Sequence, residues 1–177
     1  MFSFLFFILI HFSGVSTTHQ DNSFIDWRPD RKLNWNDFQA EPEKGFAAAA
    51  LTSTNIKIDC GYYNNKAQYH IRCSFDKSKS WVRVKNDYIL SHEQAHFDIA
   101  EIYARKLNKT LQSYRPSENN FSKDVNKLYE NLMHEYYSEQ EVYDKETNFS
   151  INKNKQREWL KKVNTELKKL KKYAKYN

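Results

Sequence analysis

Residues 86–112 run without a glycine or a proline, and their apolar positions Ile89, Ile99, Tyr103 and Leu107 recur at helical spacing. A long helix there constrains everything else the chain can build. His92 and His96 fall in the same stripe, with Glu93 directly after the first histidine. Residues i and i+4 of a helix share one face about a turn apart, so both imidazoles reach one tetrahedral cation while Glu93 faces its open position. A glutamate so placed acts as general base in hydrolysis by metal-activated water. The plainer alternative is a pair of core histidines satisfied by hydrogen bonds. Two of them, correctly spaced around a glutamate, favour the ligand reading.

The surrounding residues carry a resemblance. Ser80-Trp81-Val82, the run from Ile89 through His92-Glu93-Gln94-Ala95-His96 to Phe97-Asp98-Ile99-Ala100-Glu101, and Ala104-Arg105 resemble a bacterial family of predicted secreted zinc-dependent proteases, long filed as a domain of unknown function. Leu33-Asn34-Trp35-Asn36-Asp37-Phe38 is similar to that family's N-terminal signature, Ala49-Ala50-Leu51-Thr52 to its first sheet segment, and Tyr143-Asp144-Lys145-Glu146-Thr147 to its downstream one. The matches span about residues 27–165. The resemblance implies a zincin-like fold and a zinc site. It also implies a histidine followed by a small residue after the Tyr-Asp-x-x-Thr segment, where this chain has Asn148-Phe149-Ser150. If that histidine were the third zinc ligand, Phe149 could not replace it.

A catalytic zinc takes three protein ligands and keeps one position open. After the helix, His134, Glu135, Glu139, Glu141, Asp144 and Glu146 are the supply, and most belong to the solvated face of a second helical stretch. Asp144 is the first candidate, because it lies in the segment resembling the family where that helix should end; Glu146 is the next. Tyr143 is the candidate donor to the oxyanion of a tetrahedral intermediate. Asp98 and Glu101 sit where a carboxylate can orient a ligand imidazole, although an i,i+4 pair with Arg105 is the plainer reading of Glu101.

Met1 to Ser16 hold no charged side chain, and the apolar run Phe2–Phe12 leads to Gly14-Val15-Ser16. This reads as a secretory signal over residues 1–16, too short for a membrane span, and predicts an exported protein, periplasmic or extracellular, with no transmembrane span after cleavage. Residues 17–177 then form a single zincin-like domain. Strand-like segments Phe46–Cys60 and Gln68–Phe75, with Lys79–Val84 as a third, precede helices at Asn86–Gln112, Ser122–Tyr143 and Lys153–Tyr176, with a break near Arg115-Pro116. Strands first and helices after give an α+β class, a small antiparallel sheet packed against three main helices. A hairpin turning near Asn64-Asn65 sets Cys60 opposite about residue 69, so bridging Cys60 to Cys73 needs a shifted register; two buried thiols are the alternative.

Ten of the 28 lysines and arginines, against two of the 22 acids, lie from Lys153 onward, so the net charge of +6 belongs to the C-terminal helix. Its Leu160, Val163, Leu167 and Leu170 make an apolar stripe that packs on the domain. Its lysines allow a weak contact with an anionic surface; nucleic acid is not an expected partner for an exported chain. Three glycines in all leave no phosphate-cradling loop. The reading is a secreted zinc-dependent metalloprotease: Zn2+ held by His92, His96 and Asp144, Glu93 as general base, a peptide or protein as substrate. The alternative is a catalytically inactive zincin-like module, exported for binding or envelope association, with Phe149 marking an incomplete site.

Overall fold

Strands precede helices in the computed structural model, which describes residues 22–45, 48–64 and 66–176. The expected signal peptide lies outside the described residues. The strands are β1 (Phe24–Asp26), β2 (Ala50–Leu51), β3 (Thr54–Tyr63), β4 (Lys66–Asp76) and β5 (Trp81–Val82), followed by α1 (Asp87–Ser113), α2 (Phe121–Thr147) and α3 (Lys153–Lys169). The class is α+β, as the order of apolar patterns implies.

β3 and β4 form a long hairpin, from Thr54↔Phe75 to Tyr63↔Lys66, whose turn carries Asn64 at φ 50°. Asparagine tolerates this left-handed conformation better than most residues. The register pairs Cys60 with Tyr69 and Ile56 with Cys73, so the thiols are separated along the ladder and both are free. β1 adds to the other side of β4, giving the order β1-β4-β3. β5 does not join this sheet as expected. It pairs with β2 in a separate two-stranded sheet, Ala50↔Val82 and Leu51↔Trp81. The reason is a break at Thr52-Ser53, where the Ser53 amide donates to the Ser80 hydroxyl instead of continuing a strand.

α1 is the central element, packed against α2, α3 and both hairpin strands. Asn86 caps it by accepting a hydrogen bond from the Ile89 amide. Its far end stops before Arg115-Pro116, since a residue preceding proline is driven out of helical conformation. Phe97, Ala100, Ala104 and Leu107 are wholly buried on α1, against Ile71 and Phe75 of β4. Each large apolar side chain so buried contributes about 1.5–3 kcal/mol. The N-terminal segment is tied to α1 as well. Trp27 Nε1 donates to Asp98 at 2.7 Å, and the Leu33 amide donates to Gln94 at 2.8 Å. Asp98 therefore holds this segment rather than a ligand imidazole. Glu101 pairs with Arg105 at 2.7 Å, as helical spacing implies, and both are buried.

α3 lays Trp159 and Val163 into the core, with Leu160 and Leu167 half-buried, and ends at Lys169, short of the expected Tyr176. A 3-10 turn at Lys171–Tyr173 follows. None of the helices among the described residues is long and apolar enough to cross a membrane.

Candidate metal centre

α1 and α2 cross so that two histidines of one meet an aspartate of the other. His92 and His96 stand one turn apart on α1, and Asp144 lies in the last turn of α2. The two Nε2 atoms are 3.2 Å apart, and Asp144 Oδ1 lies 3.1 Å from that of His92 and 3.0 Å from that of His96. Three ligand atoms of a tetrahedral zinc, each about 2.0–2.1 Å from the ion, stand about 3.3 Å apart. The three atoms thus already have nearly the spacing the ion requires, and they form the one group of three potential ligands found among the described residues.

Hydrogen bonding gives the arrangement its sign. Gln140, one turn before Asp144, donates through Nε2 to the His96 carbonyl at 3.0 Å, which leaves its Oε1 to accept from His96 Nδ1 at 2.5 Å. That pairing assigns the proton of a neutral His96 to Nδ1 and turns the Nε2 lone pair towards the centre. Asp144, ionised, has only acceptors to offer. Acceptors facing acceptors at this distance repel unless a cation lies between them, either a proton on an imidazole or a metal. The protonation equilibria carry the same signature. Burial lowers the pKa of His96, but the hydrogen bond and charge of Asp144, with Glu93 and Gln140, outweigh it and raise the value to about 8. Burial also opposes ionisation of Asp144, yet the two imidazoles hold its carboxyl well below the usual carboxylate range.

His92 is fixed differently. Its Nδ1 is buried without a hydrogen-bond partner, and the ring stacks on Tyr143 at 4.5 Å with 21° between planes. Tyr143 is fully buried and directs its hydroxyl at the His92 carbonyl, 3.4 Å away. It does not line the cleft, so its position is that of a plate behind His92 and not of an oxyanion donor. Burial, then the charges of Glu93 and Asp144, push its hydroxyl well above the ordinary tyrosine range. Glu146, the other candidate ligand, points away and accepts from Trp159 Nε1 at 2.8 Å. His134 is exposed.

A cleft of about 550 Å³ opens over the three ligand atoms, walled by residues 48–55 on one side and by α2 on the other. Glu93 lines it and is only 3% exposed, its Oε2 accepting from the Thr52 hydroxyl at 2.8 Å. Thr52 stands there because of the break between β2 and β3. Tyr136 and Tyr137 also line the cleft, and Tyr136 shares a 2.6 Å hydrogen bond with Thr54. In the sequence Thr52 reads only as part of a sheet segment, and Gln140 carries no site role. Gln140 had a usable signal, since it precedes Asp144 by four residues and so shares its helical face.

Because outer partners that orient a ligand histidine change metal affinity by about 10–100-fold, Gln140→Ala is expected to weaken binding of a metal ion here by that factor with little loss of stability. Competition against a chromophoric chelator measures it, and unchanged affinity would remove Gln140 from the site.

Comparison with known proteins adds one match: residues 16–150 fit a family described as bacterial protein of unknown function (DUF922). Neither the curated proteins nor the solved structures contain a match.

Proposed function

Because the chain belongs to this bacterial family of unknown function, its activity has to be read from its own site, and we propose that it is an exported zinc-dependent peptidase. One observation carries the reading: the Nε2 atoms of two histidines and a carboxylate oxygen converge at 3.0–3.2 Å beside a buried glutamate that lines the same cleft. The donor set suits zinc, with two imidazoles and one carboxylate leaving a fourth position for solvent or substrate. When bound, zinc supplies a Lewis acid and brings the pKa of water to about 7.

The protein's own residues do the rest. His92, His96 and Asp144 hold the ion; Gln140 and Tyr143 keep the two rings aimed. Glu93, fixed by Thr52, takes the proton during attack on the carbonyl and returns it to the leaving amine. β2 belongs to a two-stranded sheet and so has one edge without a strand partner among the described residues, and residues 48–55 border the cleft. An extended peptide added along that segment would lie beside the ligand group. Phe149 does not empty the third position of the group, because Asp144 occupies it, which favours an enzyme over an inactive module. The apolar run Phe2–Phe12 supports export. Exposed lysines of α3 such as Lys161 and Lys168 favour a loose anionic contact that the peptidase does not need.

The test is stoichiometry followed by activity. Purified protein dialysed against zinc is expected to hold about one ion per chain and to hydrolyse an unfolded protein substrate; a chelator should stop the reaction and zinc restore it. Zinc binding without any hydrolysis would favour the inactive module.

A further inference from the structure

The end of α2 carries an unusual backbone. Asn148, Phe149 and Ser150 follow one another at φ 50°, 51° and 71°, three successive non-glycine residues in the left-handed region. Asparagine is at ease there; phenylalanine and serine are not. The turn is over-determined by its surroundings. The Phe149 amide donates to the Asp144 carbonyl at 2.9 Å, the Asn152 amide donates to the Thr147 carbonyl at 2.7 Å, and Thr147 is wholly buried. Yet the side chain held this way is not core: Phe149 is 54% exposed and lines the cleft. Strain kept in order to present an apolar ring to a binding cleft points to a function for the ring.

Tyr137, 58% exposed, lines the cleft from the other direction. It precedes Asp144 by seven residues, about 10 Å along the helix, whereas Phe149 follows just past the helix end. Aromatic rings therefore stand on both sides of the ligand group. Facing them are Ala48, Ala49 and Ala50, small side chains that leave room for a large one. Beyond the ligands and Glu93, the sole charged residue on the cleft wall among the described residues is Lys79, which lies 3.8 Å from Asp76. Apart from Lys79, the described walls offer no charge for a charged side chain to pair with.

We propose that Phe149 is a specificity-determining residue, and that the cleft selects extended peptides with an aromatic or large aliphatic side chain seated between Phe149 and the alanine wall. This rests on the peptidase reading and deepens it. Apolar side chains are recognised by contact area, so the preference is graded with size and modest for each methylene.

The test uses zinc-loaded Glu93→Gln protein and fluorescently labelled, otherwise identical peptides with Phe, Leu, Ala or Asp at each position in turn. Anisotropy is expected to show Phe and Leu peptides binding about tenfold tighter than Ala at one position, with Asp weakest. Phe149→Ala should bring Phe and Ala peptides to parity at unchanged zinc content, and Phe149→Leu should keep part of the difference. Phe149→Gly should do the same as Ala while raising the melting temperature by about 2–4 °C, because glycine relieves the left-handed strain. A residue that merely braced the fold would lose stability and leave selectivity alone. An undiminished preference for Phe in Phe149→Ala overturns the proposal. Hydrolysis by the unaltered protein without any apolar preference also overturns it and spares the peptidase reading; no binding and no hydrolysis of any peptide ends both.

Discussion

Glu93→Gln is expected to lower the rate of peptide hydrolysis by about 10²–10⁴-fold, the usual contribution of a positioned general base, while the protein keeps about one zinc per chain. Glutamine preserves the volume of a side chain that is 3% exposed, and its carbonyl oxygen can still accept from the Thr52 hydroxyl, which now lies 2.8 Å from Glu93 Oε2. What it cannot do is take a proton. Among the described residues the atoms that converge on the candidate metal position come from His92, His96 and Asp144, so the substitution touches proton transfer and not the ligands. Folding stability should hold or rise slightly, because an amide is easier to bury than a carboxylate. Zinc content by atomic absorption and initial rates on a quenched-fluorescence peptide read the two effects separately. Loss of zinc would make Glu93 a ligand, and retained hydrolysis would mean that another group takes the proton.

The parts of this site that were legible in the sequence are those carried by a single helix. His92, Glu93 and His96 share one element, and helical periodicity alone fixes their relation, so the sequence was enough to bring them together. Asp144 required a second element. Its choice rested on resemblance, and what selects it over Glu146 physically is the phase of α2: Gln140 and Asp144, four apart, face His96, while Glu146 turns to Trp159. Tyr143 was given the wrong face for the same reason. It neighbours Asp144 in sequence, but adjacent helical residues point about 100° apart, which puts it behind His92.

Sheet pairing was harder to read, because strands find partners by long-range contact. The β3–β4 hairpin was within reach, since a local turn sets its register and already separates Cys60 from Cys73. β1 is three residues long and pairs with β4 some fifty residues later, and no periodic pattern marks so short a strand. β5 looks like a continuation of the hairpin sheet, yet Thr52-Ser53 interrupts the first strand and diverts its beginning, β2, to pair with Trp81-Val82. That interruption shapes the candidate site. It brings Thr52 to Glu93 and sets residues 48–55 along the cleft.

Asp144→Ala should have a different outcome from Glu93→Gln, abolishing zinc binding at micromolar concentrations and hydrolysis with it. Structural zinc sites bind with roughly 10–16 kcal/mol, and one ligand of three forfeits about 4 kcal/mol of such a total, close to a thousandfold in affinity. The substitution also changes the pH dependence, with a sign that can be worked out. In the metal-free protein Asp144 and Glu93 favour the His96 imidazolium against the cost of burial and raise its pKa from the ordinary 6.5 to about 8. A group raised on folding stabilises the fold fully below the unfolded pKa and loses that contribution as pH rises through the folded one. Metal-free protein should therefore lose about 2 kcal/mol of stability between pH 6.5 and 8. Zinc needs the neutral ring, so its apparent affinity should climb about tenfold per pH unit up to pH 8 and level off above it. Without Asp144 the largest influences raising His96 are gone, so its titration should shift downwards and the stability loss between pH 6.5 and 8 should shrink. Thermal unfolding of both metal-free proteins across pH 5.5–9, with zinc titrations at the same points, checks this. A residual affinity within tenfold of the native protein, or an unmoved pH midpoint, would take Asp144 out of the ligand set.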